Sequence, residues 1–433
     1  MKSAIYVVTL TLLGAAAGCE VTADKIDGWK KEEFGPRKIR AALRDSRVSA
    51  KVRGRALLAL AELNFHQSLK IDLDSLDEKD RETLFESLAK GMLADLAPAS
   101  SLGLESQQAS KDLLFSLRGF MPPAIQARAD SALVDWILAD WSKRQAGRHS
   151  ALKILRAIGA SAATAAAGKL TSDPAAMLLL AKFIAKSGSD KDRDVATDSL
   201  KAYAAKNKAN PAAAYEALGR LARPTGRQYL LQQAQQGSEK QRQYALLALA
   251  LHPHASLAVP VAAIAADGTR AAETRDAAFD ILEKIDDPKV ADQLAAILVK
   301  AKGRLRYVTA SAMVKCCKAY GVTKLLEVLP KRYGYEKRDV VLYIEREILD
   351  LGKVALAPLR KLLTPRGLMT SSWIARTIAV RVLGAAGEAK DLPAIQTLVG
   401  DFTTLRGWGE RGTVGTEARG AVKKLKSRLP GSG

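Results

Sequence analysis

From Arg37 onward, apolar residues recur at i, i+3, i+4 and i+7, and Gly, Pro and Asp interrupt them about every 12 to 18 residues. That spacing puts apolar side chains on one face of a helix. Strict alternation, the mark of a half-buried strand, is nearly absent. One clear unit runs from Thr274 to Ile285, where Ala278, Ile281, Leu282 and Ile285 form a single apolar stripe. Asp286-Asp287-Pro288 stops it and opens a helix over Val290 to Val299, since proline suits a first turn where its missing N–H is not needed. Another unit spans Trp373 to Gly387, followed by Glu388-Ala389-Lys390-Asp391-Leu392-Pro393 and a helix through Val399. The pattern predicts an all-α chain of helix pairs.

Composition agrees. The 433 residues are 48% hydrophobic but only 5% aromatic, which favours Ala/Leu-rich amphipathic helices over a β-sandwich. A chain this long buries a large core without disulfide staples, and three Cys with four His leave little for a structural zinc site.

The paired units resemble HEAT repeats, with an Arg near the start of the second helix, an apolar stripe, and a short Asp/Pro turn. Counterparts of that Arg are Arg53, Arg148, Arg242, Arg275, Arg306, Arg338, Arg376 and Arg419, the later ones spaced 33, 31, 32, 38 and 43 residues apart. The Trp-x-x-Leu-Gly-x-x-Tyr pattern of tetratricopeptide repeats is missing. The resemblance implies an α-solenoid over residues 36–429, clearest from 240 to 429, fair at 36–64 and 148–205, and blurred between 65 and 147. It also implies that the repeat arginines, Arg275 and Arg376 among them, are structural ladder residues.

The N-terminus reads as an address. Met1-Lys2-Ser3 is followed by an uncharged apolar run from Ala4 to Ala17 and then Gly18-Cys19, the layout of a secretory signal too short to span a bilayer comfortably. Ala16-Ala17-Gly18-Cys19 resembles the lipobox of bacterial lipoproteins, with Ala16 where that family most often has Leu. The resemblance implies a signal peptide over 1–18, cleavage before Cys19, acylation of its thiol, and a short tether over 19–35. Glu20 as the second mature residue implies sorting to the outer membrane, facing the periplasm. Export removes genomic DNA repair and translation from consideration and argues against nucleic acid as the main partner.

Chemistry is sparse. His252-Pro253-His254 lacks nearby carboxylates and reads as a surface turn. HEAT-like hydroxylases hold iron through repeated His-Glu dipeptides, of which this sequence has none. No Gly-x-Ser-x-Gly elbow, His-Glu-x-x-His helix or phosphate-cradling Gly-Lys-Ser/Thr loop occurs. Cys316-Cys317 falls in a helix predicted over Leu305–Tyr320. There the ring of a vicinal disulfide would disrupt the backbone, so two buried thiols are expected. The expectation is a chain that is not an enzyme and needs no cofactor or metal.

The formal charge of +21 is unevenly placed. Residues 301–433 hold 12 Lys and 13 Arg against 11 Asp and Glu, net +14. Much of this falls in turns predicted between the helices of successive pairs: Lys302 and Arg304; Arg332, Tyr333, Tyr335, Lys337 and Arg338; Arg366, with Trp373 close by; and Arg406, Trp408 and Arg411. Equivalent turns of a solenoid share one edge, so these residues are expected to form a basic and aromatic rim suited to anionic and planar groups. The Gly-rich stretch 403–415 is longer than a repeat turn requires. The expected partner is another envelope protein. The alternative is a polyanion or membrane surface: phospholipid, lipopolysaccharide phosphates, other anionic polysaccharide or extracellular DNA.

Overall fold

The computed structural model describes residues 20–332, 338–405 and 412–429, without side chains at 66–68, 330–332 and 338–340. The expected signal peptide and Cys19 lie outside them. Among the described residues the chain is all-α, apart from an isolated antiparallel bridge between Thr404 and Thr413. It divides into two compact units near residues 177–190.

In the first unit the helices are α1 (Ala23–Trp29), α2 (Gly35–Arg44), α3 (Ala50–Glu62), α4 (His66–Asp74), α5 (Glu78–Leu96), α6 (Leu104–Leu117), α7 (Pro123–Ala139), α8 (Ala151–Ile158) and α9 (Ala160–Lys169). The stretch expected as a tether is in part a helix of this unit. Ile26 of α1 is fully buried, and Arg55 of α3 pairs with Asp27. The blurred stretch 65–147 holds four helices, three of them 14 to 19 residues long. Arg148 corrects an expectation: it lies exposed in the turn before α8, and its backbone N–H donates to Asp112.

The second unit contains α10 (Met177–Ser187), α11 (Asp190–Lys206), α12 (Ala212–Leu221), α13 (Pro224–Gln236), α14 (Glu239–Leu249), α15 (Ala258–Ala266), α16 (Ala272–Leu282) and α17 (Pro288–Lys300). These are followed by α18 (Arg304–Arg332), α19 (Arg338–Asp350), α20 (Leu356–Leu362), α21 (Pro365–Thr370), α22 (Trp373–Ala386), α23 (Leu392–Gln396) and α24 (Val414–Lys426). Sequence signals explain many ends. Asp287 caps α17 with Pro288 in its first turn, Ser372 caps α22, and Ser238 and Thr413 form capping boxes at α14 and α24. Each second helix packs on its own partner and on the next second helix, as along α12, α14, α16 and α18 and again along α19, α22 and α24. This is the helix-pair stacking of an α-solenoid.

One break interrupts the series. Lys318, at φ 46° and ψ −120°, splits α18 into the second helix of one pair and the first helix of the next. Just before it, Cys316 and Cys317 are buried and joined as a vicinal disulfide, contrary to the expectation of free thiols. The backbone disruption that such a ring requires coincides with the junction between repeats.

Candidate functional site: the edge lined by the basic turns

Within the second unit, side-chain ties fix how the second helices lie. Thr274 of α16 donates to Glu239 of α14, both in first turns, and Arg304 at the start of α18 pairs with Asp276 of α16 at 2.8 Å. Ser311 of α18 donates to Glu347 of α19 at 2.8 Å. Arg381 of α22 reaches Glu345 of α19 on one side and Glu417 of α24 on the other. Among α14, α16 and α18 the ties join N-terminal ends, so these packed helices run parallel; the same pair-by-pair order continues along α19, α22 and α24, and the turns leading into them share an edge. Bonds between a turn and a neighbouring helix end reinforce this: Arg270, in the turn before α16, donates to the Gln235 carbonyl near the end of α13 at 3.1 Å, and Arg376 at the start of α22 donates to Asp401 in the turn before α24 at 2.8 Å.

The structure places part of the expected rim on that edge. Lys302 and Arg304 flank Gly303 and are exposed, Arg304 by 73% on its side chain despite its ion pair. Arg366 is exposed on α21, a short helix capped by Thr364. Trp373 differs from the expectation: it is the first residue of α22 and half-buried, so its ring serves packing as much as display. Tyr333, Tyr335, Lys337, Arg406, Trp408 and Arg411 lie outside the described residues, as do the side chains of Arg332 and Arg338. The base of the Gly-rich stretch is a built feature. Leu405 N–H donates to Gly412 O and Val414 N–H to Thr403 O, both at 3.0 Å, around the buried Leu405 side chain.

Much of the C-terminal positive charge is consumed by the fold. Arg360 pairs with Asp391 and Glu388, Arg376 with Asp401, Lys315 with Glu283, and Lys324 with Asp292 and Glu327. Burial pushes the Asp391 carboxyl up, but hydrogen bonds from Arg360 and the Glu388 backbone outweigh it and leave the group below its ordinary range. At Glu283 burial outweighs Lys315 and the net shift is upward. Lys302, Lys361 and Arg366 form no ion pair among the described residues, so their charge is available at the surface.

The composition-led reading missed two apolar residues on the same turns. Met369 on α21 is 82% exposed and Phe402, two residues before the bridge, is 84% exposed. The available signal was a large apolar residue inside a turn with no helical stripe to join. Beside Met369, an open groove of about 360 Å³ is lined by Thr323, Leu326, Glu327, Pro358, Lys361 and Thr370. The two other motifs are quiet: His252 and His254 sit on an exposed turn, with His254 Nδ1 accepting from the Ser256 backbone. The Nε groups of Arg275 and Arg376 are both buried without a hydrogen-bond partner among the described residues, and Arg376 meets Asp401 through its Nη1. Among those residues no helix is long and apolar enough to cross a membrane.

No protein-family model matches the sequence, and neither does any protein of curated function. Among solved structures the chain is similar to human deoxyhypusine hydroxylase in complex with glycerol. The two are 15% identical over 85% of this chain and 99% of that one, with a TM-score of 0.18. The expectation that the chain is not an enzyme is corrected by this finding, because the similar structure is by name a hydroxylase. A likeness this weak assigns no activity or residue role to the present chain. The expectation falls, and no specific activity replaces it.

Proposed function

We propose that this chain is an interaction module of the bacterial cell envelope, tethered through lipidated Cys19 and docking an anionic face of another envelope protein on the edge of its second unit. The observation that carries the reading is the parallel register of the second helices, which gives the cation-bearing turns a common edge. Lys302, Arg304, Lys361 and Arg366 stand exposed there. The sequence adds Arg332, Lys337, Arg338, Arg406 and Arg411 in the same series of turns. Stacked helix pairs suit extended partners, and exposed cations on an edge steer and orient an acidic one.

Capture from envelope extracts by the wild-type chain and a Lys302→Glu/Arg304→Glu/Arg366→Glu variant tests the edge. Loss of one specific partner in the variant supports it, and equal retention of all partners contradicts it. The anchor is tested by metabolic labelling with a fatty-acid probe. Label is expected on the wild type and absent from Cys19→Ala. Sorting to the outer membrane, facing the periplasm, follows from Glu20 if Cys19 is the first mature residue.

Met369 and Phe402 favour a second reading, in which the same edge rests on an anionic bilayer. Apolar side chains projecting among exposed cations suit the boundary between headgroups and acyl chains. Co-sedimentation of the unlipidated chain with phosphatidylglycerol vesicles separates the readings. Binding lost in Met369→Ser/Phe402→Ser supports the bilayer, and no binding at low salt removes it.

A further inference from the structure

We propose that a groove at the start of the second unit, between α11 and α13, binds an uncharged glycan chain. This inference is independent of the basic edge and of the reading placed on it. The groove has a volume of about 430 Å³, within the range of small-molecule sites, and its lining includes Tyr229, Gln232, Gln233, Gln236, Gln241 and Lys208. Helix α13 supplies four of its eleven lining residues, more than any other element. Five of the helix's 13 residues are Gln and only Arg227 is charged, in a chain whose overall charged fraction is 26%. An ordinary solvated helix face would carry lysines and glutamates. This one carries neutral groups that donate and accept hydrogen bonds at once.

The chemistry of the lining selects the ligand class. Lys208 is the single charged residue of the lining, so an ionic ligand finds no paired counter-charges. Amides outnumber large apolar groups, so an apolar ligand would leave them unpaired. A polyhydroxylated or N-acetylated sugar satisfies both conditions. Its hydroxyl and acetamido groups pair with amides, and its C–H face packs on an aromatic ring.

Part of the lining is already fixed. Tyr215 is fully buried and donates to Gln233 Oε1 at 3.0 Å, and it packs edge-on against Tyr229 with ring centroids 6.1 Å apart. Burial raises the Tyr215 pKa further, so the hydroxyl stays a donor throughout the physiological range. Gln241 is held at both ends, accepting from the Ser238 N–H at 2.8 Å and donating to the Lys208 carbonyl at 3.1 Å. Gln232 and Gln236 are exposed and joined only by a long 3.5 Å contact, which a ligand can replace. Amides fixed at Gln233 and Gln241 beside adaptable ones at Gln232 and Gln236 form a partly preorganised polar site.

Titration of the unlipidated full chain, carrying Cys19→Ala, with chitotetraose and with cellotetraose tests the proposal by calorimetry. Binding of either in the millimolar range or tighter, unchanged by added salt, is expected. The surface variant Gln232→Ala/Gln236→Ala keeps the wild-type melting profile and weakens binding by about tenfold or more, and Tyr229→Leu acts likewise. Arg366→Glu leaves binding unaltered, which separates this site from the basic edge. Failure of both sugars to bind, wild-type affinity in the folded double variant, or binding that collapses with salt would each overturn the proposal.

Discussion

Arg381 and Glu417 are 36 residues apart in the chain, yet the arginine Nη1 donates to the glutamate carboxylate at 2.8 Å. The Nε of the same guanidinium donates to Glu345, which lies 36 residues away in the other direction. One side chain thus ties three successive second helices and sets the register on which the common edge depends. Arg381→Met leaves two largely buried carboxylates facing each other. A loss of about 2–4 kcal/mol in urea unfolding is expected, as for breaking a buried ion pair. A loss below about 0.5 kcal/mol, the size of an exposed pair, would show that the ladder does not set the register.

Close approach of α22 and α24 gives a second handle on the same stack. A Cβ at Gly384 would lie 2.6 Å from the Ala421 Cβ and 2.7 Å from its Cα. Gly384→Ala is expected to destabilise the second unit by about 1–3 kcal/mol through overpacking. Adding Ala421→Gly relieves the side-chain part of the clash and should restore part of that loss. Calorimetric melting of the single and double variants checks both.

In the first unit the critical contact is a clamp on the 140–150 loop. Lys111 is fully buried and donates to the carbonyls of Ala146 at 2.7 Å and His149 at 2.8 Å, while Asp112 accepts from the backbone N–H groups of Arg148 and His149. Gly147, at φ +113°, fits beneath these groups: a Cβ there would come within 2.6 Å of both Lys111 Nζ and Asp112 Oδ2. Lys111→Met strands the Asp112 charge and two carbonyls and should cost about 3–5 kcal/mol. Gly147→Ala should cost about 1–3 kcal/mol from backbone strain alone. Hydrogen exchange is expected to accelerate at 146–149 in both variants. Unchanged protection would contradict the clamp.

Acid should unfasten the first unit at Asp27. The Arg55 guanidinium, aided by Lys30 and opposed by partial burial, holds the Asp27 carboxyl at about 2, below its ordinary 3.8. The folded state therefore prefers the ionised form. That contribution is complete above pH 3.8 and disappears as pH falls through about 2. Asp27→Asn is expected to flatten the stability profile between those values while lowering stability at neutral pH. A variant profile parallel to the wild type would contradict the assignment.

Helix pairs were legible because their boundaries are local chemistry. Asp287-Pro288 opens α17 as its side-chain cap and first-turn proline demand, and the stripe from Trp373 ends where α22 ends, before Gly387. What stayed hidden depends on tertiary context. Nothing in a helical Lys-Asp pair announces that Lys111 is buried beneath a loop. Ile26 and Trp29 in a seven-residue, Asp- and Gly-containing stretch were too little apolar signal to reveal α1. The rule that adjacent cysteines cannot close a ring inside a helix missed Cys316 and Cys317 because the helix breaks one residue later, at Lys318. The charge asymmetry was visible in full, but not which cations the fold consumes: among the described residues Arg360, Arg376 and Arg381 are tied to carboxylates, and Lys302, Lys361 and Arg366 are not.

The most direct test of the interaction edge is site-specific photo-crosslinking in living cells. A photoreactive residue at Arg366 or Met369 samples the edge. One at Val354, exposed in the turn from α19 into α20, samples the opposite edge, where second helices hand over to the next pair. The account predicts one defined protein adduct from Arg366 and Met369, lost when Lys302 and Arg304 are changed to Glu, and none from Val354. Identical adducts from all three positions, or none from Arg366 and Met369, would contradict it.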